Sequence, residues 1–483
     1  MENVHLFIDG KHRKAKGDKT FTRKNPIDGE VVSVAAAARI EDIVEVVDAA
    51  SRAFEDWSQS TPQERQRLLQ RAAEIMLAKK DDFITAMAAE TGASEVWAGF
   101  NVALGAAVFQ EAASIVTAAT GEVLSSNTAG QLSLAVRQPA GVVVGIAPWN
   151  APIILGSRAI AVPLACGNSV ILKGSEACPR THALIVDCLA EAGFAKGVVN
   201  YVTNAPDEAA VFVEKLVCAP DVRRVNFTGS TKVGRIIASH CARSLKPCVL
   251  ELGGKAPILI LEDADIDAAV DATVFGAFMN SGQICMSTER IIVVESVAAT
   301  FLGKLVDRVK KLTIGDPRKE NVNLGPVYDM ATVVHCNRLI DDALSKGAKL
   351  LCGGKSETTL MPATLLDNVV PSMGIYHEET FGPVKAIIRA RDDEHAVSLA
   401  NDSEYGLSSA IFTSDTAKGY RLAKRIKSGI CHINGATVDD EPQAPFGGVK
   451  ASGFGRFGGQ AGVNEFTDLR WLTMETERRR YPL

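Results

Sequence analysis

An α/β fold, with two doubly wound parts and a projecting β arm, is what this sequence predicts, and three observations predict it. Strands and helices alternate from Ala140 to Gly253, and a second such series follows Gly253. Between residues 120 and 140 the rhythm breaks into the turn-rich GEVLSSNTAGQLSLAVRQPAG, with one alternating run, LSLAVR. Strands separated by helices of roughly 10–15 residues form parallel sheets, because a parallel return needs a crossover of about that length. A ligand is then expected at the carboxyl ends of the strands.

The elements follow in order. HLFIDGKHR carries an Asp9-Gly10 hairpin signal. From Ile40 to Gln110 the pattern is helical, with Ile43, Val46, Val47, Ala50 and Phe54 on the first face. Thr61-Pro62-Gln63-Glu64 combines an N-cap, a proline at the first helical position and a glutamate at the third. VVVGIA, SVILK, VVNYV, VRRVNF and CVLEL are the strands of the first series, with helices from Pro152, Pro179, Pro206 and Thr231. APILIL, RIIVVE, VKAIIRA, SSAIFTS and GICHIN are the strands of the second, with helices near 264–279, 297–312, 328–346, 392–401 and 415–427. The tail FTDLRWLTMETERRRYPL alternates weakly and reads as a strand that pairs outside its own domain. The expected domains are 1–119 with 141–250, then 251–445, with 120–140 and 466–483 as the arm.

Length and composition narrow the function. A chain of 483 residues suggests two or three domains. The net charge of −5 and the lack of a dense Lys/Arg block argue against nucleic acid, since Arg478 to Arg480 reads as a solvated end. The start, MENVHLFIDGKHRKAKG, has no apolar core for a signal peptide, and no apolar run is long enough to span a bilayer. Ten cysteines stand as singletons without a C-x-x-C, and eight histidines are dispersed. No metal site or disulfide framework is expected, and a reducing cytoplasm is.

The chemistry centres on MNSGQICMSTER, Met279 to Arg290. Asp263 and Asp265 can start a helix before it, Gly282 can stop that helix, and Arg290 opens a strand. Cys285 then sits on a loop in small or polar company, which suits a nucleophilic thiol. Glu251 ends a strand before Gly253-Gly254 and is either a general base or a carboxylate flanking a turn. Asn150, in Pro148-Trp149-Asn150, either aims its amide at a developing oxyanion or simply makes a turn. FTGSTKVG at 227–234 places small residues between a strand and a helix, where a phosphate can approach the helix N-terminus. Lys173-Gly174-Ser175-Glu176 follows the second strand, where a polar pair can hold a ribose. A carboxylate there favours NAD over NADP. Gly453 to Gly458 satisfies G-x-G-x-x-G, but no strand precedes it, so it reads as a mobile or close-packed loop.

Together the motifs resemble the aldehyde dehydrogenase superfamily over essentially the whole chain. PWN at 148–150, KGSE at 173–176, FTGSTKVG at 227–234, ELGGK at 251–255, GQIC at 282–285, EETFGPV at 378–384 and PFGGVKASGFGR at 445–456 carry the resemblance, in that order. It implies an aldehyde-dehydrogenase-like fold: an NAD-binding domain, a catalytic domain and an oligomerisation arm that builds homodimers or homotetramers. It implies Cys285 as nucleophile, Glu251 as general base, and the Asn150 amide with the Cys285 backbone N–H as oxyanion hole. Cofactor residues by resemblance are Ile146, Pro148, Trp149, Lys173, Glu176, Gly229, Ser230, Glu379 and Phe381. No cofactor contact is assigned around 203–206, where Thr203-Asn204-Ala205-Pro206 departs from the family's frequent Gly-Pro.

Asn150 opens a helix on which Ile154, Ser157 and Arg158 fall near its own face. Arg158 is unusual there, and either offers a cation to a phenolic or acidic oxygen or serves solvent or a structural carboxylate. Trp97, Ile284, Met286, Val438 and Phe446 are the apolar walls that the resemblance implies. The mix suits a small aromatic aldehyde with a polar ring substituent, and PWNAPIILGSRAIA at 148–161 resembles the family's hydroxybenzaldehyde-type branch, which implies salicylaldehyde first. Vanillin or another benzaldehyde comes next and an aliphatic semialdehyde last. A CoA-acylating relative would need no general base, and Glu251 argues against it. A non-catalytic protein of this fold would not need both Cys285 and Glu251. A thiol hydrolase would need a histidine partner that the motifs do not contain.

Overall fold

A computed structural model describes residues 2–481. Its first sheet has eight strands. Five of them run parallel in the order Cys248–Glu251, Val222–Thr228, Val142–Ile146, Ser169–Lys173 and Val199–Val202. Their Val/Ile/Leu-rich sequences are buried on both faces, as a parallel sheet between helix layers requires. Leu6–Ile8 adds antiparallel to Val199–Val202 and forms the expected hairpin with Lys11–Arg13, with Asp9 and Gly10 at φ 52° and 73°. At the opposite edge Gly453–Phe454 pairs antiparallel with Cys248–Glu251.

The helix Pro152–Ala165 is buried along its entire length. It lies between this sheet and the helices Pro62–Ala78 and Glu95–Ser114, so it has no solvent face. Pro179–Ala192 packs beside it, and Thr231–Arg243 follows the Val222–Thr228 strand.

The second sheet has seven strands. Thr364–Asp367, Val384–Ala390, Thr288–Val294, Ala256–Ile260, Ala410–Phe412 and His432–Ile433 are parallel, and Lys349–Cys352 closes one edge antiparallel. Thr467–Glu475 pairs antiparallel with all of Gln131–Pro139, which also pairs with Glu122–Leu124. Pro482 and Leu483, within the expected arm, lie outside the described residues. No described helix is long and apolar enough to cross a membrane.

Several sequence-based expectations need correction. Asp265, not Asp263, caps the helix Ile266–Phe278, accepting from the amides of Asp267 and Ala268. Asp263 instead accepts from Thr413, Ser414 and Lys418, tying two strand ends together. The helix stops at Phe278, before Gly282, because Asn280 and Ser281 turn left-handed at φ 50° and 54°. The helix expected over 415–427 covers only Thr416–Ala423. The strands Lys349–Cys352 and Thr364–Asp367 were not anticipated. The Gly453 segment packs closely, and only its first two residues form a strand.

Candidate active site

Three chain turns converge at the carboxyl ends of the first sheet. The Cys248–Glu251 strand delivers Glu251, and the turn after it meets the cysteine loop backbone to backbone. A β-carbon at Gly254 would lie 2.3 Å from the carbonyl oxygen of Cys285, so only glycine allows this approach. The late segment clamps the same turn: Ser452 Oγ donates to the Gly253 carbonyl at 2.7 Å, and Leu252 N donates to the Ser452 carbonyl at 3.1 Å.

Cys285 is partly buried and shares a cavity of about 310 Å³ with Asn150, Glu251, Glu379 and Phe381. Glu251 is 1% exposed, and neither of its oxygens has a hydrogen-bond partner among the described residues. Burial pushes its carboxyl up to about 8. Arg158 works against this, while Asp440 and Glu379 add to it. Burial and the neighbouring Glu251 likewise push the Cys285 thiol well above its ordinary range. The resting thiol is therefore protonated, and attack needs a proton acceptor close by. Glu379 differs in that Oε1 already accepts from Gly254 N at 2.9 Å; burial raises it to about 7.

Asn150 is fixed from both sides. Its carbonyl accepts from Trp97 Nε1 at 2.9 Å and Asn280 Nδ2 at 3.1 Å. Its Nδ2 donates one hydrogen to the Gln283 carbonyl at 3.0 Å, leaving the other N–H for a substrate oxygen. Gln283 is held in turn by Tyr328 N, which donates to Oε1 at 2.7 Å, and Tyr328 stacks on Trp149 with centroids 4.3 Å apart.

A second cavity, about 610 Å³, adjoins the first and shares Pro148, Trp149, Thr228, Gly229 and Ser230 with it. Lys173 and Glu176 form an ion pair on one wall. Ser230 caps the helix Thr231–Arg243, its side chain accepting from Val233 N at 3.4 Å. Val233 and Ile236 offer exposed apolar side chains. An ion-paired polar end, a helix N-terminus and an apolar wall fit a ribose, a pyrophosphate and a flat base.

Residues 12–472 match the aldehyde dehydrogenase family. The chain belongs to this family. It is 53% identical to vanillin dehydrogenase of Pseudomonas fluorescens over the full length of both chains. It is 48% identical to salicylaldehyde dehydrogenase of Pseudomonas putida over 99% of each. A crystal structure of salicylaldehyde dehydrogenase from Pseudomonas putida G7, complexed with salicylaldehyde, superposes with a TM-score of 0.98 at 47% identity, covering 100% of both chains. The family and fold class expected from the motifs are thereby borne out, and the protein is an aldehyde dehydrogenase.

In this aldehyde dehydrogenase each of the nine expected cofactor residues lines one of the two cavities. Ile146, Lys173 and Glu176 lie on the larger, Glu379 and Phe381 on the smaller, and Pro148, Trp149, Gly229 and Ser230 on both. Pro206, at the end of the 203–206 stretch left without assignment, and the next residue, Asp207, also line the larger. The six expected pocket residues behave differently. Trp97, Arg158, Ile284, Met286, Val438 and Phe446 are all buried, and none lines the 310 Å³ cavity. The five apolar ones belong to one core cluster against which Cys285 packs. Trp97 is more than a wall, because its indole N–H holds Asn150. Arg158 is bound to a carboxylate: it forms a buried ion pair with Asp440 and lies over the Phe446 ring, 4.3 Å from the centroid. Its Nη1 and the Oδ1 of Asp440 remain unpartnered among the described residues. Asp440 was missed because Asp439-Asp440-Glu441 reads as a solvated acidic turn.

Behind the cysteine loop lies a second missed group. Glu289 Oε2 contacts Lys255 Nζ at 2.7 Å, and Oε1 contacts Lys385 Nζ at 3.1 Å. Thr380 donates to it through Oγ1 at 2.6 Å and N at 3.1 Å. Lys385 also donates to Ser287 Oγ at 3.1 Å. This network joins the segment just after Cys285 to the loop that carries Glu379 and Phe381.

Proposed function

We propose that this aldehyde dehydrogenase oxidises a hydroxylated aromatic aldehyde to its carboxylic acid with NAD, salicylaldehyde being the first candidate substrate. The observation that carries the reading is the 310 Å³ cavity. In it a protonated thiol, a partnerless carboxylate and a fixed amide face one space, which adjoins a groove suited to a dinucleotide.

Glu251 takes the thiol proton as Cys285 Sγ bonds to the aldehyde carbon. The carbonyl oxygen becomes an alkoxide held by the free N–H of Asn150 and the backbone N–H of Cys285. Lys173, Glu176 and Ser230 would hold the dinucleotide, with Glu379 and Phe381 beside its nicotinamide. The nicotinamide supplies the hydride acceptor. The oxidised adduct is a thioester on Cys285. Glu251, its proton lost to solvent, then deprotonates a water whose oxygen attacks the thioester carbon. The Cys285 sulfur leaves and the acid is released. Glu176 would set a carboxylate near the ribose of a bound dinucleotide, where it would disfavour a 2′-phosphate, and this supports NAD over NADP.

Arg158 Nη1 and Asp440 Oδ1 belong to one buried ion pair outside the cavity lining; they are an unused donor and an unused acceptor among the described residues, and the pair's charges are felt at both Cys285 and Glu251. A ring hydroxyl, which both donates and accepts, can satisfy the two together, whereas unsubstituted benzaldehyde leaves both bare. Vanillin is the second reading, favoured by the 53% identity to a vanillin dehydrogenase. Val123, Leu469, Trp471 and Met474 leave apolar side chains exposed on the arm, which supports a homodimer or homotetramer. Ten free cysteines support a reducing cytoplasm. The test is NADH formation with salicylaldehyde, vanillin, benzaldehyde and an aliphatic aldehyde, repeated with NADP. Highest kcat/KM on the aliphatic substrate, or preference for NADP, sinks the reading.

A further inference from the structure

His182 takes no part in the chemistry above, yet it touches both halves of it. It lies on the buried face of the helix Pro179–Ala192, at 0% exposure. Its Nδ1 accepts from the backbone N–H of Ser175 at 3.0 Å. Its Nε2 lies 3.1 Å from the carbonyl oxygen of Pro152. Ser175 stands between Lys173 and Glu176 on the wall of the dinucleotide groove. Pro152 opens the buried helix two residues after Asn150.

The protonation state follows from these partners. A backbone N–H can only donate, so Nδ1 is the lone-pair nitrogen and the proton sits on Nε2, which donates to Pro152. Burial, reinforced by the Lys173 cation, holds the ring down to about 3, against the opposing hydrogen bond to Pro152. His182 is therefore a neutral, fixed tautomer at any working pH. Cys178 Sγ, 3.7 Å from Nδ1, is the other polar side-chain atom on the ring. The two helices also approach closely at this point. A β-carbon at Gly156 would lie 2.6 Å from Ile185 Cδ1 and 3.1 Å from His182 Cδ2, so glycine at 156 is what seats the ring against the helix.

We propose that His182 is a positioning residue that locks the ribose-binding turn and the oxyanion-forming turn into one register. One ring atom sets the Lys173–Glu176 turn, and the other sets the Pro148–Pro152 turn that carries Trp149 and Asn150. No other side chain among the described residues hydrogen-bonds to both Ser175 and Pro152. The dinucleotide and the aldehyde oxygen are thus held by turns that share a single rigid ring. This rests on the proposed function, because it assigns the two turns to cofactor and oxyanion.

Two near-isosteric substitutions separate the ring's two contacts. Asparagine places an acceptor near the Nδ1 position, and glutamine places a donor near the Nε2 position. In His182→Asn the Kd for NADH, read from its fluorescence on titration, is expected to stay within twofold of the parent, while the first-turnover rate at saturating cofactor falls about tenfold. In His182→Gln the Kd is expected to rise about tenfold, with a smaller loss in first-turnover rate. Hydrogen exchange of the peptide covering 173–178 reads the same split without catalysis: faster in His182→Gln, unchanged in His182→Asn. If both variants lose binding, first-turnover rate and exchange protection in parallel with a fall in melting temperature, His182 is a packing residue and the proposal is overturned. Parental behaviour in both variants overturns it equally. Failure of the parent to reduce NAD with any aromatic aldehyde overturns the functional reading instead, and the exchange measurement still decides whether the ring couples the turns.

Discussion

Two buried glutamates flank the Cys285 loop, and the protein treats them in opposite ways. Glu289, behind the loop, is 2% exposed and has two lysines and a threonine around it, which hold its carboxyl down to about 2 despite the burial. Glu251, in front of the loop, is 1% exposed and has no cation or backbone donor on its oxygens among the described residues, only the neighbouring Cys285 thiol, and the same burial raises it to about 8. Equal burial thus yields a permanent anion on one side and a titrating group on the other. The difference lies in the donors around each, and it separates a scaffold from a proton acceptor. A carboxylate satisfied four times over can brace a loop but cannot move a proton. One left bare costs folding energy and gains reactivity.

The largest effect expected tests the group that both carboxylates serve. Cys285→Ala should lower NADH formation by roughly four orders of magnitude while leaving the fluorescence titration with NADH unchanged. Glu251→Gln comes next: a burst of NADH close to one per site that forms more slowly than in the parent, because the thiol has lost its proton acceptor, then steady turnover reduced by about 10²–10⁴. In the parent, the rate of the hydrolytic step should rise with pH and level off above about 8, as the carboxylate becomes the base. Glu251→Gln should lose that rise.

The stability signs also oppose each other. Glu251 has a raised carboxyl, so its contribution is fully present below the ordinary carboxylate range and is lost as pH rises through about 8. Glu251→Gln should therefore gain melting temperature relative to the parent between pH 5 and pH 9. Glu289 has a lowered one, so its contribution is present above the ordinary range and lost as pH falls through about 2. Glu289→Gln should cost about 3–5 kcal/mol at neutral pH by leaving Lys255 and Lys385 buried without their anion, and less in acid. Equal responses of the two variants to pH in thermal melts would break the comparison.

The smallest effect sharpens it. Arg158→Leu should reduce the kcat/KM preference for hydroxylated over plain benzaldehyde about tenfold. It should also shift the pH profile upward. Arg158 opposes the rise of Glu251, and its removal leaves burial, Asp440 and Glu379 without that opposing charge. An unchanged preference would show that the ring hydroxyl is not read by this pair.

How much of this was legible in the sequence depended on how local each signal was. Cys285, Glu251 and Asn150 announce themselves through neighbours that only a turn or a close approach demands, such as Gly253-Gly254 and Gly282. Their spacing along the chain adds the family pattern. Glu289 carries no such mark: it precedes a β-branched run and looks like the flank of a strand, while its lysines come from 34 and 96 residues away. Asp440 hides among acidic neighbours for the same reason, its partner lying 282 residues earlier. The strand Lys349–Cys352 is only four residues long and follows closely on a helix and Gly347, so its two leucines carry no alternation that marks a strand. The hairpin at Asp9-Gly10 and the alternation in LSLAVR needed no distant partner, and both were legible.

The short strand Gly453–Phe454 gives this site a place in time as well as in space. A ribosome makes Glu251 first and then the whole of the second sheet before it reaches Gly453. Until then the strand bearing the base has one unpaired flank, and Ser452 has not yet clamped the turn at Gly253. An open strand edge invites foreign strands, so its late closure leaves that flank open to mispairing during synthesis. It also means that the thiol and its base are brought into register only after nearly every other part of the enzyme has been made.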